Sequence, residues 1–383
     1  MIVDRKWALR NLGFDPVATP APDTTLASRK PGKAISNEDL QREIIDFDSE
    51  APHGLQFLAF STATGLSRYT DVSWPAGLAP ITGHKPTGHR GGPLPKADVL
   101  LVTWTVDEGH ALSRVLTPGK DSRDDYLPYT HNFTTISRKM RKACPALEAG
   151  RLGTYWTTRI GGKSVLVFKS DSHLSQDGPQ MPNIDVWRQI IHEVRPSLVI
   201  TTGTAGGIGT QFEVGDVIVS PIVRFDCTAK FKKQAFATAH YSSTAPKATH
   251  LAKARSLFKA NAGQLPKDNA RLPRIFRTPL RSLDRAVVTT DFFGFDTSDD
   301  QYHLRGLGDV SEMGDAVLGH VCNEMGANAP RWLAVRNVSD PQIKADGMTL
   351  QQQATLAAQI YKGFGRWSSV CSAITCWALV AAE

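Results

Sequence analysis

The sequence predicts an α/β protein: a mixed, mostly parallel central sheet sandwiched by helices in three layers, with an irregular N-terminal extension. Three observations predict it. From residue 96 onward, short apolar runs alternate with segments of helical spacing. The apolar runs are hydrophobic on both strand faces, as strands covered by helices on both sides are. Before residue 96 the texture changes: ten of the 23 prolines fall in residues 1–95. Two regions are therefore expected: 1–95, a Pro-rich extension with one short helix, and 96–383, the folded domain.

In the extension, "DPVATPAPDTTLASRKPGK" reads as a linker, and "SNEDLQREIIDF" as a short helix capped by Ser36 or Asn37. "GLAPITGHKPTGHRGGPLP" is too rich in turn residues for regular structure. In the domain, "ADVLLVTWTV" is a strand and "EGHALSRVL" has helical spacing. "KSVLVFKS" is a strand, and "PNIDVWRQIIHEVRP" a helix with Ile184, Trp187, Ile190 and Ile191 on one face. "SLVITTG" and "DVIVSPIVRF" are strands, the first running into a glycine loop over 203–209. "THLAKARSLFKANAG" is a helix, "RAVVTTDFF" a strand, "SEMGDAVLGHVCNEMG" a helix and "RWLAVRNVSD" a strand. The C-terminal segment from "TLQQQ" onward forms one or two helices.

Composition narrows the class. Hydrophobic residues make up 41% and charged residues 21%, ordinary for a globular chain. No apolar run approaches the roughly 20 residues that span a bilayer, and the start lacks a signal-peptide core. The five cysteines, Cys144, Cys227, Cys322, Cys371 and Cys376, are odd in number and widely spaced, so reduced thiols and a cytoplasmic setting are expected. "HEVRP" starts like a zinc helix, but Pro196 takes the place of the second histidine; no metal or other cofactor is expected. The net charge is +7, and residues 228–281 hold twelve Lys and Arg against one acid, Asp268. Such a field attracts phosphate-bearing ligands, or it is a solvated face. Nucleic-acid binding is not favoured, because aromatic interleaving and a helix-turn-helix pattern are both missing.

In parallel α/β sheets, ligands sit at the carboxyl ends of strands. Those ends carry Asp107-Glu108, the Gly203–Gly209 loop, Asp291-Phe292-Phe293 and Asp340, with Glu312-Met313 between the last two. Carboxylates, an aromatic plate and backbone donors suit cleavage of a glycosidic bond to a flat heterocycle. The loop has neither GxGxxG spacing nor a Walker ending.

"TTGTAGGIGTQFEVGDVIVS", "EMGDAVLGHVCNEMG" and "LAVRNVSD", in that order, resemble the nucleoside phosphorylase and nucleosidase superfamily, closest in motif to methylthioadenosine/S-adenosylhomocysteine-type nucleosidases. The resemblance covers about residues 97–380 and implies a homo-oligomer acting on a small nucleoside or nucleotide. It implies that Asp340, beside Ser339, engages a purine ring nitrogen, and that Phe293 stacks on the base. Met313 would pack under the ribose, Glu108 would position the attacking water, and Thr204 would contact that water or the phosphate. Gly206 and its neighbours would let the backbone come close. Where the family has an arginine that holds phosphate, this chain has Thr201, and its first loop reads "TWTVDEGHAL"; hydrolysis is therefore expected over phosphorolysis. The family's Met-Glu ribose pair is Met313-Gly314 here, so Glu312 or Asp315 would have to serve the sugar hydroxyls. Lys230, Lys232, Lys233, Arg271, Arg274 and Arg277 are candidate contacts for a 5′-phosphate. The competing reading is a catalytically impaired nucleotide sensor signalling through residues 1–95.

Overall fold

The computed structural model describes residues 2–13, 15–18, 72, 74–84, 91–142, 144–174, 180–262, 285–292, 294, 296–297, 299 and 302–383. The predicted helix over 36–47 lies outside these residues. In chain order the strands are β1 (Ile81–Thr82), β2 (Val99–Thr103), β3 (Leu127–Tyr129), β4 (Gly153–Ile160), β5 (Lys163–Ser170) and β6 (Leu198–Gly207). They continue with β7 (Val217–Ser220), β8 (Ile222–Asp226), β9 (His240–Ser242), β10 (Val287–Thr290), β11 (Val310–Glu312) and β12 (Arg331–Asp340). The helices are α1 (Arg5–Leu12), α2 (Val106–Leu116), α3 (Phe133–Ser137), α4 (Pro145–Ala149), α5 (Pro182–Val194), α6 (Ala248–Ala262), α7 (Asp315–Met325) and α8 (Leu350–Ala382).

All the strands join one mixed sheet. Its centre is parallel: β5, β2, β6 and β12 lie side by side, as do β11, β10 and β8. Antiparallel pairs extend the margins through β1, β3, β4 and β9, join β11 to β6, and place β7 on β12. Side chains on a strand alternate between faces, and this sheet obeys the rule. Leu101, Val167, Ile200 and Val335 enter one core with α2, α8 and α1. Leu100, Leu166, Val199 and Ala334 enter the other, with α5 and α7. The result is helices, sheet and helices in three layers.

Three sequence expectations change. The glycine loop is not a loop: β6 runs through Gly207, because β12 pairs with it in parallel as far as Gly206. "SEMGDAV" is not one helix: Val310–Glu312 is a short strand, and the helix begins at Asp315 after Gly314. "DVIVSPIVRF" divides at Pro221 into β7 and β8, which have different partners. The C-terminal segment is a single 33-residue helix, opened by a capping box at Thr349 and Gln352.

The first described residues pack on the sheet-and-helix body. Asp4 caps α1 by accepting from the Trp7 N–H at 2.8 Å. Val3 bridges to Ile343, and Trp7, 6% exposed, packs against Phe364 of α8 with ring centroids 6.1 Å apart.

Candidate active site

The carboxyl ends of β2, β6, β10, β11 and β12 surround a cleft with about 590 Å³ of empty space. Glu108, Thr204, Gly206, Glu312, Met313, Ser339 and Asp340 line it, together with Trp104, Thr105, His173, Arg336 and Tyr361. Asp315 lies behind Arg336 and does not line the cleft. Lys230, Lys232 and Lys233 are exposed and do not line it either. Phe293, Arg271, Arg274 and Arg277 lie outside the described residues. Asp291 is a loop anchor, accepting from the backbone N–H groups of Thr228, Ala229 and Phe231.

Glu108 sits at the third position of α2, where it forms a reciprocal capping box with Thr105. Its Oε2 accepts from Thr103 Oγ1 (2.8 Å), Trp104 N (3.1 Å) and Thr105 N (2.9 Å). Its Oε1 accepts from Thr204 N (2.7 Å) and Thr204 Oγ1 (2.8 Å). Burial would raise its pKa, but the Arg336 charge and these hydrogen bonds outweigh burial and hold it below the usual glutamate value. Gly203 makes the approach possible. A Cβ there would fall 2.5 Å from Glu108 Cδ and 2.8 Å from Arg336 Nη1, and its φ of +155° disfavours other residues.

Asp340 has the opposite environment. Its Oδ1 accepts from Ser339 Oγ at 2.7 Å, and among the described residues Oδ2 has no hydrogen-bond donor. Burial pushes its pKa up to about 7, with the Ser339 hydroxyl pulling the other way. A β-bulge between Val338 and Asp340 puts both Ser339 and Asp340 on the cleft, where a regular strand would send neighbours to opposite faces. Gly206 lies beneath: a Cβ on it would be 3.0 Å from Asp340 Oδ2.

Sequence reasoning missed Arg336 and Trp104. Arg336 binds Asp315 through both carboxylate oxygens and Glu312 Oε2 at 3.1 Å, and lies 4.8 Å from the centre of the Trp104 ring. Glu312 also accepts from Thr289 Oγ1, from Gly314 N at 2.6 Å and from Asp315 N at 2.9 Å. Burial and the neighbouring Asp315 charge raise its pKa, with Arg336 opposing them. The only clue in the sequence is that "RNVSD" puts an arginine four residues before the strand-end acid, on the same strand face. His173 was also missed. Burial lowers its pKa to about 3, Glu108 opposes this, and the Arg336 and Lys230 charges add to it, so the ring is neutral.

Among the described residues no cluster of His, Cys, Asp and Glu fits a metal ion, and no helix is long and apolar enough to cross a membrane. All five cysteines are buried, and none forms a disulfide.

A family model described as the phosphorylase superfamily matches residues 128–364. The fold is similar to a 5′-methylthioadenosine/S-adenosylhomocysteine nucleosidase from Neisseria meningitidis in complex with methylthio-immucillin-A. That match has 16% identity, 74% of this chain and 99% of that chain covered, and a TM-score of 0.46. It is also similar to the futalosine hydrolase of Helicobacter pylori strain 26695, with 13% identity, coverage of 74% and 96%, and a TM-score of 0.47.

Proposed function

Since the chain belongs to the phosphorylase superfamily, we propose that it is an N-ribosyl hydrolase releasing a free purine base from a nucleoside or nucleotide. The observation that carries this reading is the contrast within one cleft. Asp340 holds its proton near neutral pH and has one oxygen open, while Glu108 is ionised and hydrogen-bonded. Two carboxyls whose environments push them apart suit one acid and one charge-stabilising role.

In the proposed reaction, Asp340 gives its proton to a ring nitrogen of the base as the bond from the anomeric carbon to the base breaks and its electron pair moves onto the base. The sugar develops oxocarbenium character, which the Glu108 carboxylate stabilises. Water attacks the anomeric carbon. Five donors already occupy Glu108, so its route to that water runs through the Thr204 hydroxyl. The hydroxyl donates to Oε1 at 2.8 Å, also meets the Tyr361 hydroxyl, and keeps a lone pair that can accept from water. One proton then passes from water to Thr204 and from Thr204 to Glu108.

Phosphorolysis is less well supported. Among the described residues Arg336 is the one Lys or Arg lining the cleft, and Asp315 and Glu312 already hold it. A cation so engaged is a poor phosphate clamp. The test is free-base release from adenosine, guanosine, methylthioadenosine and AMP, with and without phosphate. Base release without phosphate supports the reading. Strict dependence on phosphate, or binding without any release, rejects it.

A further inference from the structure

One corner of the Glu108 network comes from the C-terminal helix. Tyr361 lies on α8, is 2% exposed and lines the cleft. Its hydroxyl donates to Thr105 Oγ1 at 3.2 Å and meets the Thr204 hydroxyl. Thr105 Oγ1 also accepts from Glu108 N at 3.2 Å, and Thr204 Oγ1 donates to Glu108 Oε1 at 2.8 Å. Tyr361, Thr105, Glu108 and Thr204 thus close a ring of hydrogen bonds that ties α8 to the start of α2 and to β6. The helix leaves room for the phenol at Gly365, one turn on, where a Cβ would lie 3.0 Å from Tyr361 Cε2. Glycine is a poor residue for a helix interior, and here the ring occupies the space its side chain lacks.

Each hydroxyl has one hydrogen to give and two lone pairs. The Thr204 hydrogen lies on Glu108, so the hydrogen between Thr204 and Tyr361 is the phenol's, shared with Thr105. Burial, with the Asp107 and Glu108 charges, raises the phenol's pKa against these two hydrogen bonds, so that hydrogen stays in place. One lone pair of Thr204 is therefore filled and one remains. From this, and resting on the hydrolase reading above, we infer that Tyr361 is a positioning residue for the attacking water: its hydroxyl holds the Thr204 hydroxyl with the hydrogen on Glu108 and a single lone pair for that water. With both lone pairs free, Thr204 can hold water in two directions, and one water cannot serve both. As Thr204 passes its proton to Glu108, the phenol also donates to the oxygen that gains charge.

Base release is measured for the unmodified protein, Tyr361→Phe, Thr204→Val and the double variant, on whichever of the four substrates named above is cleaved fastest. Tyr361→Phe keeps the ring and should lower kcat roughly tenfold, with KM within about twofold. In the Thr204→Val background the same change should cost less than about twofold, because no hydroxyl is left to orient. If Tyr361→Phe does not fold, Gly365→Ala, which crowds the ring but keeps its hydroxyl, takes its place in the same cycle. An unchanged kcat overturns the inference. So does an equal loss in both backgrounds, the mark of a tyrosine that only packs the helix, or a change confined to KM. The two proposals fail separately: no base release by the unmodified protein from any of the four rejects both, while base release undiminished in Tyr361→Phe rejects the Tyr361 assignment alone.

Discussion

Glu108 and Asp340 are held two residues apart along one strand: Thr204 binds the first, and Gly206 lies under the second. Two residues of β-strand advance about 7 Å, a spacing on the scale of a nucleoside's sugar and base. Strand β6 is thus a ruler for the cleft, and its small residues are what let two carboxyl groups approach the backbone.

Asp340→Asn should lower base release by about 10²–10⁴-fold, the usual worth of a general acid, while substrate still binds. Chromatographic assay with parallel titration checks this. In the unmodified protein, kcat should fall as pH rises through about 7, where Asp340 loses its proton. A kcat still flat at pH 9 would remove Asp340 from the acid role.

Asp340 should also shape stability against pH. Its carboxyl titrates near 3.8 when unfolded and near 7 when folded, so between these values the folded state keeps a proton the unfolded chain has lost. Its contribution is complete below about pH 4 and is lost as pH rises to about 7, by up to about 4 kcal/mol. Urea unfolding at pH 5 and pH 8 should show a smaller loss for Asp340→Asn than for the unmodified protein.

Thr204→Val removes the hydroxyl between Glu108 and the cleft and should lower kcat by tenfold or more. Thr204→Ser keeps the hydroxyl and should stay within a few-fold of the original. Equal loss in both variants would point to packing rather than proton transfer.

Gly203→Ala should destabilise the fold by about 3 kcal/mol or more, because the new methyl collides with the Glu108 carboxyl and Arg336 deep in the core. Denaturant midpoints measure it, and a shift under 1 kcal/mol would mean the strand can move aside.

Trp7→Ala should cost about 3–5 kcal/mol, since Trp7 is buried against Phe364 in the core shared with α8. A stability unchanged from the original would show that α1 docks too weakly to matter.

Much of the sheet is legible from local pattern. "VLLVT", "KSVLVFKS" and "RWLAVRNVSD" are apolar on both faces and become β2, β5 and β12. Strand β4, "GTYWTTRI", is not legible from pattern: Thr154 and Thr158 are buried polar groups that pattern alone assigns to the surface. The run through Gly207 has the composition of a loop because glycine is a poor strand former, but pairing with β12 outweighs that preference.

The site divides the same way. Glu108, Asp340, Thr204 and Met313 stand at strand ends or in motifs, so the sequence alone could mark them as candidates and set the α/β class, since strand-end position follows from local periodicity. Tertiary structure alone decided which of their oxygens remain free, that Arg336 occupies Asp315 and Glu312, and that Trp104 fills the space beside Gly314. These are contacts between residues up to 232 positions apart in the chain. Proton affinity and available volume are set by such neighbours, and no window of sequence contains them.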